Sequence, residues 1–275
     1  MRFNLPIIRC SARPIPMHIR SVYRPLPCTT RLVLAVLSAG CTAPLQAQQV
    51  SFDRPGIGFG TEVLAGGQFT WEQGLPDFSR NRQDHQLELF YAASTLWRLG
   101  LGAGLELQLA SDLMNRQAGS EHATGAGDSS VSLKYALPAW HPDIDWALMA
   151  TYSQPTGQAP FRADSNSRSL AVSASQDVSD GRSYALYLGY SNDGNNSNNG
   201  HSWTFSPSYT FYSGAMFSAY TELGWSHGAD NGSSAGGGGI WRLSNHLQLD
   251  LWLLRGISSS ATDWQGGFGI AWTPD

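Results

Sequence analysis

The sequence predicts an all-β chain, a transmembrane antiparallel up-and-down β-barrel of about twelve strands. Three observations predict it. Charged residues (DEKR) make up 14% of the 275 residues, against about 25% in an average soluble domain. Period-two alternation of apolar and polar residues recurs along the chain, the mark of a strand with two different faces. Short connections and long polar ones take turns between the alternating segments.

The N-terminal part has a different character. Residues 1–47 hold six arginines (Arg2, Arg9, Arg13, Arg20, Arg24, Arg31), no Asp or Glu, and all three cysteines, Cys10, Cys28 and Cys41. A short apolar run, Leu32 to Gly40, follows the basic stretch, and Leu45-Gln46-Ala47 offers a small residue for cleavage. A basic region, a short apolar core and a small-residue exit describe a secretory signal. We therefore expect residues 1–47 to be a signal peptide, with Met17 as an alternative start. The rival reading acylates Cys41 as a lipoprotein, but Ser38 stands where such sequences usually carry Leu. After cleavage 11 basic residues remain against 21 acids, and no cysteine. That net charge of −10 argues against a nucleic-acid partner. Residues 48–58 are expected to form a periplasmic N-terminal segment and residues 59–275 the barrel. Whether the segment enters the lumen as a plug stays open.

Twelve alternating segments follow, centred near Gly67, Leu89, Leu105, Val131, Ala150, Val172, Leu186, Tyr209, Tyr220, Gly237, Leu249 and Phe268. The clearest is Trp203 to Phe211, with apolar residues or Pro at odd positions and Thr or Ser at even ones. Val131 to Tyr135 and Leu247 to Leu251 repeat the scheme. Five connections read as short: 98–102, 138–144, 178–181, 213–214 and 243–246. Six read as longer and polar: 73–84, 112–126, 155–166, 191–200, 227–234 and 257–263. Strict alternation places all the long connections at one end of the sheet, the asymmetry of transmembrane barrels. No run is long and apolar enough for a spanning helix. Hydrocarbon offers the backbone no hydrogen-bond partner, so a closed barrel is the remaining way to span. Aromatics near segment ends, such as Trp71, Tyr152 and Trp272, suit interfacial girdles. A soluble β-sandwich would also alternate, but the polar faces here carry few of the Lys and Glu residues that soluble surfaces need.

Several stretches resemble an outer-membrane family of phenol meta-pathway or transporter barrels. They are Phe52-Asp53-Arg54-Pro55, Gly125 to Tyr135, Tyr152 to Gly157, and the closing Gly266 to Trp272. The resemblance implies a barrel in the Gram-negative outer membrane, passage of small molecules, aromatic ones among them, and no enzymatic activity. Such barrels usually end on an aromatic residue, whereas Thr273-Pro274-Asp275 follow Trp272 here.

If the apolar face meets lipid, parity assigns Glu88, Glu106, Lys134, Glu222 and Asp250 to the interior, with Gln68, Gln108, Gln248 and Tyr220. Lys134 is the only lysine in the chain, and an ion pair with Glu106 is expected. These groups either select permeants by charge or bond across the lumen and close it. The acid excess favours neutral or cationic solutes. The expected function is a porin-like passive channel; the alternative is a closed structural or adhesive barrel acting through its external loops. Expected partners are outer-membrane lipid, the barrel-assembly machinery during biogenesis and an unidentified small permeant. No cofactor, metal or catalytic residue is expected. His201-Ser202 are strand neighbours and point to opposite faces. The Asn-rich stretch Asn192 to Asn199 lacks the carboxylates of a Ca²⁺ site, and Gly236 to Gly239 suit a bend or close packing of a luminal side chain.

Overall fold

The computed structural model describes residues 50–83, 86–119, 122–138, 141–178, 180–192 and 200–274. The expected signal peptide, His85, Glu121 and residues 193–199 of the Asn-rich stretch lie outside the described residues.

Thirteen strands form among the described residues: β1 Phe69–Gln83, β2 Gln86–Gly102, β3 Leu105–Ala118, β4 Ala123–Gly125, β5 Ser129–Ala136, β6 Asp145–Gln154, β7 Ser167–Val178, β8 Arg182–Asn192, β9 His201–Ser213, β10 Phe217–Gly228, β11 Gly232–Ser244, β12 Leu247–Gly256 and β13 Trp264–Trp272. Each pairs antiparallel with its neighbours, and β1 pairs with both β2 and β13, which closes the ring. The short β4 and β5 both lie against β3 and share one position in the wall. The result is a closed barrel of twelve strands with no free edge.

Eleven of the expected segment centres fall inside strands; the first does not. Gly67 precedes β1, and the expected polar connection 73–84 is mostly strand. The cause is a bulge: the register shifts between Gly74 and Asp77, which moves the inward face from Thr70 and Glu72 to Asp77. A bulge breaks period two and tolerates a proline, here Pro76. The stretch 227–234 is likewise shorter as a connection, because β10 runs to Gly228 and β11 starts at Gly232. The tight turn between β2 and β3 has positive φ at both central residues, Ala103 (52°) and Gly104 (77°). This is the primed geometry that matches strand twist.

Burial is inverted relative to a soluble fold. Leu170 and Leu251 stand 59% and 51% exposed, whereas the side chains of Glu106, Lys134 and Asp250 are wholly buried. The greasy side of the pleat therefore faces outward and the charged side inward, which a wall surrounded by acyl chains requires.

Candidate functional site

The interior is occupied by the chain's own N-terminal segment. Residues 51–64 belong to no strand, so their backbone groups need partners, and the inward strand residues supply many of them. Glu72 of β1 accepts hydrogen bonds from the amides of Asp53 (3.0 Å) and Arg54 (2.8 Å). Glu222 of β10 accepts from the Ile57 amide (2.9 Å), and Glu106 of β3 from the Leu64 amide (2.8 Å). On β7, Ser173 donates to the Phe59 carbonyl (2.7 Å) and Ser175 meets Thr61 (2.6 Å). Phe59 packs on Ala147 and Ala171 and stands edge-on to Tyr187. A Cβ on Gly58 (φ 90°) would strike the Tyr187 ring.

Two charge networks anchor the start of this segment. In the first, Arg98 of β2 forks onto Glu106 (Nε to Oε1 2.7 Å, Nη2 to Oε2 2.9 Å) and donates to Glu72 (3.0 Å) and the Ser51 carbonyl (2.8 Å). Asp53 completes it, accepting from Lys134 Nζ and Gln108 Nε2, each at 2.8 Å, with Arg98 Nε at 3.5 Å. Burial raises the Asp53 carboxyl's proton affinity, but Arg98 and Lys134 outweigh it and hold the group below the usual carboxylate range. In the second, Arg54 donates twice to Asp77 (2.8 and 2.9 Å) and reaches Asp250 (3.2 Å). Gln248 donates to the Arg54 carbonyl (3.0 Å). A Cβ on Gly269 would collide with this guanidinium, so the glycine of β13 makes room for the arginine. Buried charges persist only when paired and hydrogen-bonded, and both networks meet that condition.

The strand-borne site residues expected from sequence fall out as follows. Glu106, Lys134, Glu222 and Asp250 are buried in the interior, and Glu88 is exposed near the start of β2. Glu106 and Lys134 are register partners, but the ion pair expected between them does not form. Arg98 takes Glu106 through its planar fork, and Lys134 turns to Asp53. Five further charges of these two networks are not predicted by the alternation. Glu72 and Asp77 flank a bulge that breaks the alternation, Arg98 falls in a predicted turn, and Asp53 and Arg54 lie in a segment with no alternation. The signal that could have found them is the adjacent opposite charges of Phe52-Asp53-Arg54-Pro55 in a charge-poor chain.

Space remains on both sides of the segment. Toward the long-connection end a cavity of about 440 Å³ is lined by Asp77, Thr95, Asp112, Asp128, Ser153 and Trp252. Toward the short-turn end one of about 350 Å³ is lined by Ser51, Phe52, Ser213, Arg242 and Gln248. The connection 155–166 folds onto the first of these ends. Asp128 accepts from the amides of Gly157 (2.8 Å) and Ala163 (2.9 Å), and Phe161 lies 6.0 Å from Phe90. His201 is exposed and pairs with Tyr190, while Ser202 beside it is buried on the other face.

The chain matches the family described as "Putative MetA-pathway of phenol degradation" over residues 52–273. No curated protein matches it. Among solved structures, an outer membrane channel from Pseudomonas putida F1 is 12% identical with a TM-score of 0.61, covering 80% of this chain and 99% of that one. The KdgM porin in complex with disordered oligogalacturonate is 10% identical with a TM-score of 0.52, covering 75% and 99%. The NanC porin is 8% identical with a TM-score of 0.50, covering 74% and 98%. These likenesses identify the fold as the closed barrel of outer-membrane proteins.

Proposed function

The chain belongs to the family of the "MetA-pathway of phenol degradation", and from that premise we propose that it is a passive outer-membrane channel for small solutes. The observation that carries the reading is the interior itself. A wall whose outside is apolar encloses Asp53, Glu72, Asp77, Glu106, Glu222 and Asp250 against Arg54, Arg98 and Lys134, with cavities on either side of the crossing segment. Such a lumen holds water and carries an excess of acid near its middle. Small neutral or cationic solutes are therefore favoured over anions, and Trp252 with the Phe90–Phe161 pair offers contact to an aromatic body. The role is conduction rather than catalysis, and barrel-assembly machinery would insert the chain.

Liposome swelling tests it. The mature chain, reconstituted, should admit small neutral and cationic solutes faster than anions of equal size. Absence of solute-dependent swelling, together with no current in planar bilayers, would overturn the reading. The contrasting reading, a closed barrel working through its external connections, draws on the segment that crosses the lumen. It gains only if current stays absent after that segment is released by the substitutions discussed below.

A further inference from the structure

Charge on the strands is sorted by face. Register places the acidic residues of the described strands on the inward side, and the outward charges are all arginines: Arg80, Arg82, Arg116, Arg168, Arg182 and Arg255. Five of the six lie at the long-connection end; Arg182, beside the 179–181 turn, is the exception. None of them forms an ion pair among the described residues. Four converge on one arc of wall. Arg255, Trp264, Arg80 and Leu89 are successive register partners across β12, β13, β1 and β2. Arg82 sits one outward position further along β1, opposite Leu87, and Arg116 of β3 pairs with Tyr91, the partner of Phe78. Neighbouring strands lie about 4.8 Å apart, so β12 to β3 spans roughly 19 Å. The Arg255 guanidinium lies over the Trp264 ring, 5.6 Å from its centre. On the mid-wall side of this arc the outward face turns apolar, with Leu253 and Phe268 about half exposed.

We propose that Arg80, Arg82, Arg116 and Arg255 form a binding patch on the outer wall for the phosphate groups of an anionic lipid, in the leaflet on the long-connection side. The guanidinium forks match phosphate oxygens in pairs and stay charged at every physiological pH. No acid of the neighbouring strands faces outward beside them; the carboxylate at the patch's edge, Asp263 just before β13, accepts from the Arg82 backbone amide (3.0 Å) and forms no ion pair with these guanidinium groups among the described residues. Leu89 and Leu87 stand opposite Arg80 and Arg82 in register, apolar surface along which long arginine stems can lie with their heads at the polar boundary. Acyl chains of the same molecule would cover Leu253 and Phe268, a match that free phosphate or a nucleic acid does not offer. The patch rests on the reading that the outward face meets lipid, and its test uses binding rather than current, so a non-conducting barrel still gives an answer.

The mature chain in a non-ionic detergent is titrated with a diphosphorylated disaccharide lipid, with its dephosphorylated form and with inorganic phosphate, and retained lipid is counted by native mass spectrometry. The diphosphorylated lipid binds, the dephosphorylated form binds far more weakly, and millimolar phosphate does not displace it. Arg80→Gln/Arg82→Gln/Arg116→Gln/Arg255→Gln weakens binding on the order of 1,000-fold, from about 1 kcal/mol per arginine near an anionic surface; Arg182→Gln leaves it unchanged. Heat-modifiable gel migration reports folding, and if the fourfold variant fails to fold, the pair Arg80→Gln/Arg255→Gln carries the test. Equal binding of both lipids, equal loss with Arg182→Gln, or full displacement by phosphate would overturn the patch.

Discussion

Along β12, Leu251 is half exposed and Asp250, the residue before it, is wholly buried. The same strand thus obeys two sets of rules. On the outward face stability comes from acyl chains around apolar groups, and from a hydrogen-bond ladder that closes on itself. On the inward face the contacts run to the N-terminal segment more than across the wall: Arg54, not a neighbouring strand, satisfies Asp250. The difference teaches that the interior charges hold the segment and the outward residues hold the barrel. Substitutions on the two faces should therefore separate into distinct measurements.

The largest expected effect is at Arg98. Arg98→Met leaves Glu72, Glu106 and Asp53 without their shared cation, and removing one partner of a buried charge network costs about 3–5 kcal/mol. That cost should fall on docking of residues 51–64: protease should cut the segment and conductance should rise, with heat-modifiable migration of the barrel retained. Loss of the folded barrel with the segment still docked would break the division of labour. On the other face, Leu251→Arg places a charge toward mid-wall lipid, a penalty of about 2–4 kcal/mol. Urea titration of the barrel folded into vesicles should move by that amount, while protease protection of residues 51–64 in the folded fraction stays the same.

The wall was legible in the sequence and its contents were not. Val131 to Tyr135 and Leu247 to Leu251 alternate without interruption, so parity alone places Lys134 and Asp250 inside. β1 departs from its predicted bounds because a bulge at Gly74 to Asp77 swaps its faces, and period-two alternation cannot distinguish such a swap from a loop. The lysine's partner was hidden for another reason. Asp53 lies 81 residues before Lys134, in a stretch without periodicity, and nothing local states that this stretch threads the ring. Cross-strand register predicts neighbours within a sheet; it is silent about a segment that is hydrogen-bonded only through side chains.

Asp53 sharpens the comparison within the interior. Asp53→Asn keeps the shape but removes the charge that Lys134 and Arg98 face, and a hydrogen bond to a charged group is worth about 1.5–3 kcal/mol. Conductance should rise, though less than in Arg98→Met, because the backbone amides of residues 53 and 54 still bond to Glu72. An increase equal to or above that of Arg98→Met would move the anchor from the guanidinium to the aspartate.

Lys134 is expected to give the smallest structural effect and the clearest change in selectivity. Its ammonium bonds to Asp53 alone and stands over the Phe59 ring, 5.3 Å from the centre. In Lys134→Met, Arg98 and Gln108 still hold Asp53, so the segment should remain protected from protease. The lumen, however, loses one of the three cations set among the six carboxylates near its middle, Arg54, Arg98 and Lys134, and its potential there becomes more negative. The reversal potential in a KCl gradient should then shift toward that of potassium with little change in conductance. The shift must come from the fixed charge, since the segment has not moved. An unchanged reversal potential would mean that ions pass where Lys134 is not felt, and the interior charges would then serve only to fasten the chain that lies among them.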